Sequence, residues 1–561
     1  VAEQHLPTRK NLVEAARGLR TADTCFRNAE IFNPFTSEWQ LTDFAVSAGL
    51  VIGTGPYDAV NEVDLKGRRV VPGLIDSHVH IESSLLCPPE FARLIAVHGT
   101  TTIIADPHEV ANVCGTPGIE FMLSYRGELP VDLFIMLPSC VPATPSDVGG
   151  AILEAADLAV FRCHDGIVGL GEVMNVPGVL QGDPALYQKL DLFQVIDGHA
   201  PLLSGKDLSA YVAAGIQSDH ECTDPSEVRE KIGNGMFIYL REGSTEKNIR
   251  AIIPAVTLKN ATRISFATDD RDIKMLVEEG HIDDCIRKAV AYGLEEETAI
   301  RMATLTAAER FGLHDRGALA PGRVADFCVL STGREFRVEQ TFRRGQEMPH
   351  DSPGPCHPLP GHFQVSPPRP SDIALAGFGR ARVIGLVPHQ IITRSFSCDI
   401  SPAEIPDIRR DVLKAVVCSR YHPGKIATGL VHGFGISIGA IAGSVSHDAH
   451  NIVAVGVEDE AVCRAISLVI EHGGGLVTTG GERDTVLPLP CAGLMSPEPY
   501  DQVYHAFRLL DRHAAEIGAV DHAFMYLSFL ALTVIPSLRI TDRGLFDVNT
   551  FTHIPVFEKR T

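Results

Sequence analysis

His78-Val79-His80 is the first pattern in this chain that could do chemistry. Side chains alternate in direction along an extended strand, so both imidazoles leave one face and can reach one metal ion. Taken alone, the pair reads more readily as two hydrogen-bonded histidines at a strand end. Four further residues change that reading, because Glu172, His199, His220 and Asp269 each stand at the end of an apolar run. Burying four imidazoles and two carboxylates together without a cation would leave unpaired charge in a low dielectric, which is costly. A metal centre supplies the compensating charge. Six ligands suit two ions better than one, with Glu172 as the bridge and a position left for hydroxide. Nitrogen and oxygen donors of this kind do not separate manganese, iron and zinc.

Ligands so far apart in sequence need elements that gather them. Beyond Pro72-Gly73, apolar runs alternate with helical stretches, which signals βα units and a parallel sheet. Eight strands are expected near 76–80, 101–106, 133–137, 167–172, 193–199, 215–220, 237–242 and 264–269, each meeting polar residues at its C-terminal end. Eight units in about 200 residues match the lower end of (β/α)8 barrel sizes, and that fold carries its catalytic groups at the C-terminal strand ends.

The flanks read differently. Residues 1–72 look like short β elements, with 44–53 alternating about a turn and 62–71 forming a hairpin with Lys66-Gly67 at its tip. Helical periodicity runs over 282–311, and β structure returns at 319–330. The expected division is a small β domain made of 1–72 with about 319–345, a barrel over 73–318, a proline-rich linker over 346–371 and a further α/β domain over 372–561. That last domain should hold helices near 460–472 and 498–530, and the segment 447–451 should open a helix with Asp448 near its cap.

Composition mainly excludes. The 561 residues carry 49 Lys+Arg against 70 Asp+Glu, a formal charge of -21, which argues against a phosphate backbone as partner. No apolar stretch follows Val1-Ala2-Glu3-Gln4-His5, so no signal peptide is expected. The longest apolar run, 524–538, is shorter than the roughly 20 residues of a membrane span and reads as a buried core helix. The 13 cysteines form no C-x-x-C pair, so reduced thiols and a cytoplasmic location are expected.

Several segments together carry a family resemblance. Pro72-Gly73-Leu74-Ile75-Asp76-Ser77-His78-Val79-His80 resembles the first-strand motif of the amidohydrolase superfamily, Asp269 its strand-eight aspartate, and Ala320-Pro321-Gly322-Arg323-Val324-Ala325-Asp326 its return into the small β domain. Within that superfamily, the bacterial adenine deaminases are resembled by His80-Ile81-Glu82-Ser83-Ser84, Ala105-Asp106-Pro107-His108-Glu109, Gly171-Glu172-Val173-Met174-Asn175 and Asp197-Gly198-His199-Ala200-Pro201. Ser218-Asp219-His220-Glu221, Leu240-Arg241-Glu242-Gly243-Ser244 and Ser446-His447-Asp448-Ala449-His450-Asn451 extend the likeness to about residues 25–535.

The resemblance implies an α/β fold: a (β/α)8 metal-dependent hydrolase barrel, a small composite β-sandwich and an additional C-terminal α/β domain. It implies a binuclear centre of Mn2+ or Fe2+, with Zn2+ as a third candidate, held by His78, His80, Glu172, His199, His220 and Asp269. Glu172 would stand where relatives use a carboxylated lysine, and no such lysine is visible near the fourth strand. The implied reaction is attack of a metal-activated hydroxide on C6 of adenine, giving hypoxanthine and ammonia, with Asp269 carrying the proton. Glu109 or His108 would protonate the purine ring; otherwise 106–109 is a capped loop with solvated charges. Asp106, Arg241, Glu242 and His450 are expected to contact substrate, although Arg241 with Glu242 reads nearly as well as a structural ion pair, and 447–451 as an inter-domain contact. The alternative substrates are another aminopurine or a cyclic amide. A non-catalytic barrel is disfavoured because all six ligand positions are filled. The expected partners are a small purine base and a second copy of the chain, most simply in a dimer, with no nucleic acid and no membrane.

Overall fold

The computed structural model describes residues 8–333, 335–348, 356–375, 377–400 and 405–558. The leading residues Val1 to His5, and Pro349, Pro353 and Pro355 of the proline-rich stretch, lie outside the described residues.

Eight parallel strands occur in the central region: β1 (Leu74–Val79), β2 (Thr100–Ala105), β3 (Asp132–Leu137), β4 (Ile167–Val173), β5 (Ile196–Gly198), β6 (Ser218–Asp219), β7 (Phe237–Arg241) and β8 (Ile264–Ala267). They form one sheet in the order β5-β4-β3-β2-β1 and another in the order β6-β7-β8, with helices intervening along the chain. Between β1 and β8 the contact is a parallel bridge of Val79 with Asp269, and between β5 and β6 it is Gln217 N donating to Ile196 O at 3.0 Å. β1 and β2 are buried along their whole length, as strands covered on both faces must be, and β-branched residues dominate Thr100-Thr101-Thr102-Ile103-Ile104. The architecture is thus an α/β fold built on parallel strands, with added sheets on either flank.

One flank is an eight-stranded sheet that uses both ends of this region. Strands Ala22–Asn33, Glu38–Ser47, Leu50–Thr54, Ala59–Asp64 and Arg69–Pro72 are joined by Phe327–Leu330, Val338–Arg343 and Gln346–Glu347. Aromatic packing ties the early and late strands, with Phe327 meeting Phe26 edge-on at 4.9 Å and Phe44 edge-on at 5.2 Å. The hairpin expected over 62–71 is not there. Ala59–Asp64 and Arg69–Pro72 both run parallel to Ala22–Asn33, one after the other. Lys66-Gly67, both at positive φ, make a two-residue bulge within that run, closed by Arg68 N on Leu65 O at 2.9 Å, and Gly67 N donates to Asn28 O of the shared partner strand.

The other flank is a second eight-stranded sheet, from Gly379–Leu386 to Arg483–Pro488, with helices Asp459–Glu471 and Tyr500–Glu516. It docks against the loop after β1: Ser496 N donates to Leu85 O at 2.8 Å, and Tyr500 N to Glu90 Oε2 at 2.7 Å. The expected core helix over 524–538 is helical only as Ala523–Ser528. Most of the rest is buried irregular chain. The guanidinium of buried Arg539 serves its carbonyls, donating to Ile535 O and Phe529 O at 2.8 Å and to Ile391 O at 2.7 Å. A buried cation has replaced the helical ladder as the donor for these groups. No helix among the described residues is long and apolar enough to cross a membrane.

Candidate metal centre

The C-terminal ends of the parallel strands bring the six expected ligand residues together. His78 and His80 leave β1 on one face, with their Nε2 atoms 3.1 Å apart. His80 Nε2 lies 3.2 Å from both Glu172 Oε1 and Asp269 Oδ1; His78 Nε2 lies 3.6 Å and 3.4 Å from the same two oxygens. On the other side of the Glu172 carboxylate, Oε2 lies 2.8 Å from His199 Nδ1 and 3.3 Å from His220 Nε2. Glu172 therefore offers one oxygen to each of two donor groups. The side chains form several sets able to hold a metal ion, among them His78, His80 and Glu172, and Glu172, His199 and His220. The residues fit such ions: the His78 and His80 Nε2 atoms crowd each other and the same pair of carboxylate oxygens, and His199 Nδ1 and His220 Nε2 converge on the other Glu172 oxygen.

Local structure sets this geometry. The Asp106 carboxylate accepts from Glu172 N at 2.9 Å and so fixes the end of β4 against β2. Gly171 permits that approach, because a Cβ there would collide with the Asp106 carboxylate. Asp269 follows β8 at φ 54°, a left-handed conformation that Asp tolerates better than most residues. Its backbone N donates to His78 O at 3.0 Å, and its Oδ2 accepts from Arg241 Nη1 at 2.9 Å.

Charge is balanced within the cluster. Burial would raise the Glu172 carboxyl, but hydrogen bonds from His199, His220 and His78 outweigh it and hold the group well below the carboxylate range. Asp269 is held down likewise by His220, His78, His80 and Arg241 against burial. Burial pushes His78 down, yet Asp269 and Glu172 take it up to about 10; His199 rises to about 8 because Glu221 and Glu172 outweigh burial. Both imidazoles are therefore protonated at neutral pH in the metal-free chain, and an ion must displace those protons. Loading with Mn2+ at about pH 7 is expected to release protons and to tighten as pH rises toward about 8. Calorimetry in two buffers of different protonation enthalpy reads this; equal heats and equal affinities at the two ends of that range would contradict it.

A second group joins this centre to the C-terminal sheet. Glu109 lies on helix His108–Cys114 after β2, 3.1 Å from His108 Nε2, and pairs through its two oxygens with His447 and His450. Burial opposes its ionisation, but His447, His450 and His108 outweigh it and hold the carboxyl well below its usual range. Burial would lower His447; Glu109 and Asp270 raise it to about 9. The segment Ser446–Asn451 is a turn between strands Ala440–Gly443 and Ile452–Gly456, not the helix start expected there.

The cavity above these groups is lined by His108, Glu109, Arg241, Asp269, His447 and Asp448, with an apolar side made by Met174, Ile391, Phe529 and Leu532. The His447 ring stacks on Phe529 at 4.8 Å. Not every expected contact residue reaches this cavity. Glu242 points the other way, 3.1 Å from Lys288 Nζ and accepting from Ile249 N. His450 is turned onto Glu109 and accepts from Ser446 N at 3.1 Å, while Asp106 serves Glu172 as described. Arg241 does line the cavity, but its ion-pair partners are Glu221 and Asp269, not Glu242. Glu221 and Asp270 line it without having been assigned from sequence, although Glu221 directly follows a ligand candidate; His447 and Asp448 bring the 447–451 segment to it.

Residues 69–348 match the Amidohydrolase family, and residues 390–552 match the Adenine deaminase C-terminal domain. The adenine deaminase of Methanoculleus marisnigri is 59% identical over 519 residues, spanning 92% of this chain and 100% of its own. Those of Methanoregula boonei and Desulfatibacillum aliphaticivorans are 56% and 44% identical, each spanning 98% of this chain and 99% of its own. The chain belongs to the adenine deaminase family. Likeness to adenine deaminases over the full length takes in the C-terminal sheet, from which His447 and His450 reach Glu109.

Proposed function

We propose that this chain hydrolyses adenine to hypoxanthine and ammonia, as its family name implies. The observation that carries this reading is the Glu172 carboxylate, which presents one oxygen to His78 and His80 and the other to His199 and His220. His78, His80, Glu172, His199, His220 and Asp269 would hold two divalent ions, Mn2+ or Fe2+ in the first place and Zn2+ as the third candidate. When bound, such ions lower the pKa of water so that a nucleophile exists at neutral pH.

The remaining roles fall to the chain. Asp269 Oδ1 takes the proton of the attacking water and passes it toward the leaving ammonia, while Arg241 on Oδ2 keeps the carboxylate turned. The imidazoles of His108 and His447, kept protonated by the Glu109 carboxylate between them, are the store from which the purine ring is protonated. Met174, Ile391, Phe529 and Leu532 give a flat base an apolar cover that excludes water. Arg241 is assigned to the substrate; Asp106 and His450 support it by holding Glu172 and Glu109, and Glu242 acts through Lys288.

The two parallel sheets are best read as one closed (β/α)8 barrel over 73–318, with the contacts at Val79–Asp269 and Ile196–Gln217 as its seams. The small β domain would comprise 1–72 with about 319–345, the linker 346–371 and the C-terminal α/β domain 372–561; the family matches at 69–348 and 390–552 support this division. A cytoplasmic location is proposed on the 13 free cysteines, and a homo-oligomer, most simply a dimer, on the resemblance. Purified Mn2+- or Fe2+-loaded protein should release ammonia from adenine and much less from other aminopurines, cytosine or cyclic amides. Release from one of those in place of adenine would move the assignment to that substrate.

A further inference from the structure

Away from the histidines, three thiols from distant parts of the chain converge. Cys87 precedes helix Pro88–Ala96 after β1, Cys356 lies in the proline-rich connection, and Cys491 follows strand Arg483–Pro488. Their sulfurs all lie within 4.8 Å of one another. Cys87 and Cys491 are buried and Cys356 is half-buried. The backbone holds each region: Cys87 N donates to Ser496 O at 3.1 Å, Cys491 N to Met495 O at 3.0 Å, and Cys491 bridges to Pro360. The Tyr125 hydroxyl, 3.8 Å from Cys356 Sγ, also accepts from His357 N at 2.7 Å, and the His357 ring stacks on Tyr125.

A lone buried cysteine packs as a small apolar residue and needs no further account. Three whose sulfurs meet from distant parts of the chain are different, because together they make a set of soft metal donors. We propose that Cys87, Cys356 and Cys491 bind one thiophilic divalent cation, zinc in the first place, which clamps the barrel, the connecting segment and the C-terminal domain together. A tetrahedral ion with Zn–S near 2.3 Å places its sulfurs about 3.8 Å apart, within the spacing this trio has. A fourth ligand would come from the side of half-buried Cys356, as water or the neighbouring His357. Soft sulfur donors here and nitrogen and oxygen donors at the strand ends sort different ions, so this site does not compete for manganese.

The full-length chain, cleared of metal under reductant and titrated with Co2+, tests this. The thiol trio should give intense thiolate-to-cobalt charge-transfer absorption, which nitrogen and oxygen donors cannot produce. Cys356→Ser should abolish that band and lower zinc content after reconstitution by one equivalent per chain. Because Cys356 sits half-buried in irregular chain, the serine should be tolerated, and unchanged adenine turnover in the variant would show the fold intact. Cys491→Ala should give the same spectral loss. Absence of the band in the unaltered chain, or its persistence in both variants, overturns the proposal. So does mass spectrometry showing two of the three cysteines joined as a disulfide in protein purified without reductant.

Discussion

Asp269→Asn is expected to lower turnover of adenine by roughly 10²–10⁴-fold, the usual range for loss of a positioned proton carrier, while leaving most of the metal bound. The side chain sits at a constrained backbone position, with Oδ1 3.2 Å from His80 Nε2 and Oδ2 2.9 Å from Arg241 Nη1. Asparagine keeps the shape and one oxygen, so it can still face the imidazoles. It cannot take up a proton at neutral pH, and its amide would set a donor against the Arg241 guanidinium if turned the wrong way. The loss should appear in kcat with little change in KM, because the interaction removed is one made only as the reaction proceeds. Elemental analysis beside the kinetics separates this from ligand loss. Normal turnover in the variant would remove Asp269 as the proton carrier.

Glu109→Gln should be nearly as damaging, by about 10²-fold or more in kcat, for a different reason. Glu109 is the counter-charge that raises His447 to about 9 against burial. Without it, the imidazolium loses its proton at lower pH, so the alkaline limb of the kcat/KM profile should move toward neutrality. His447→Gln should have a comparable effect, and the double variant should lose little more than either single one, because the two act as a unit. Additive losses and an unmoved alkaline limb would show that Glu109 merely ties the domains together.

The sequence made the six strand-end residues readable because each closes an apolar run, and parallel strands align such ends. Period-two alternation, carried one step further, also separates Arg241 from Glu242: the last residue of β7 and the one after it point to opposite sides, one to the cavity and one to Lys288. The pairing of Glu109 with His447 was not legible. It joins residues 338 apart, and no local pattern encodes which histidine of a distant turn meets a given carboxylate. The same holds for 62–71, where Lys-Gly at positive φ serves a hairpin turn and a bulge equally well, and only the parallel partner strand decides between them. Nor does apolarity reveal where helix Ala523–Ser528 stops, since Arg539 supplies donors from outside the run.

Two divalent ions held through Glu172 are proposed to make this chain a deaminase of adenine. The most direct test is to titrate the metal-free, full-length protein with Mn2+ in the presence of adenine and follow hypoxanthine as it forms. Activity should reach its plateau at two equivalents of manganese per chain. Full activity at one equivalent would contradict the paired site, and no hypoxanthine at any loading would contradict the function itself.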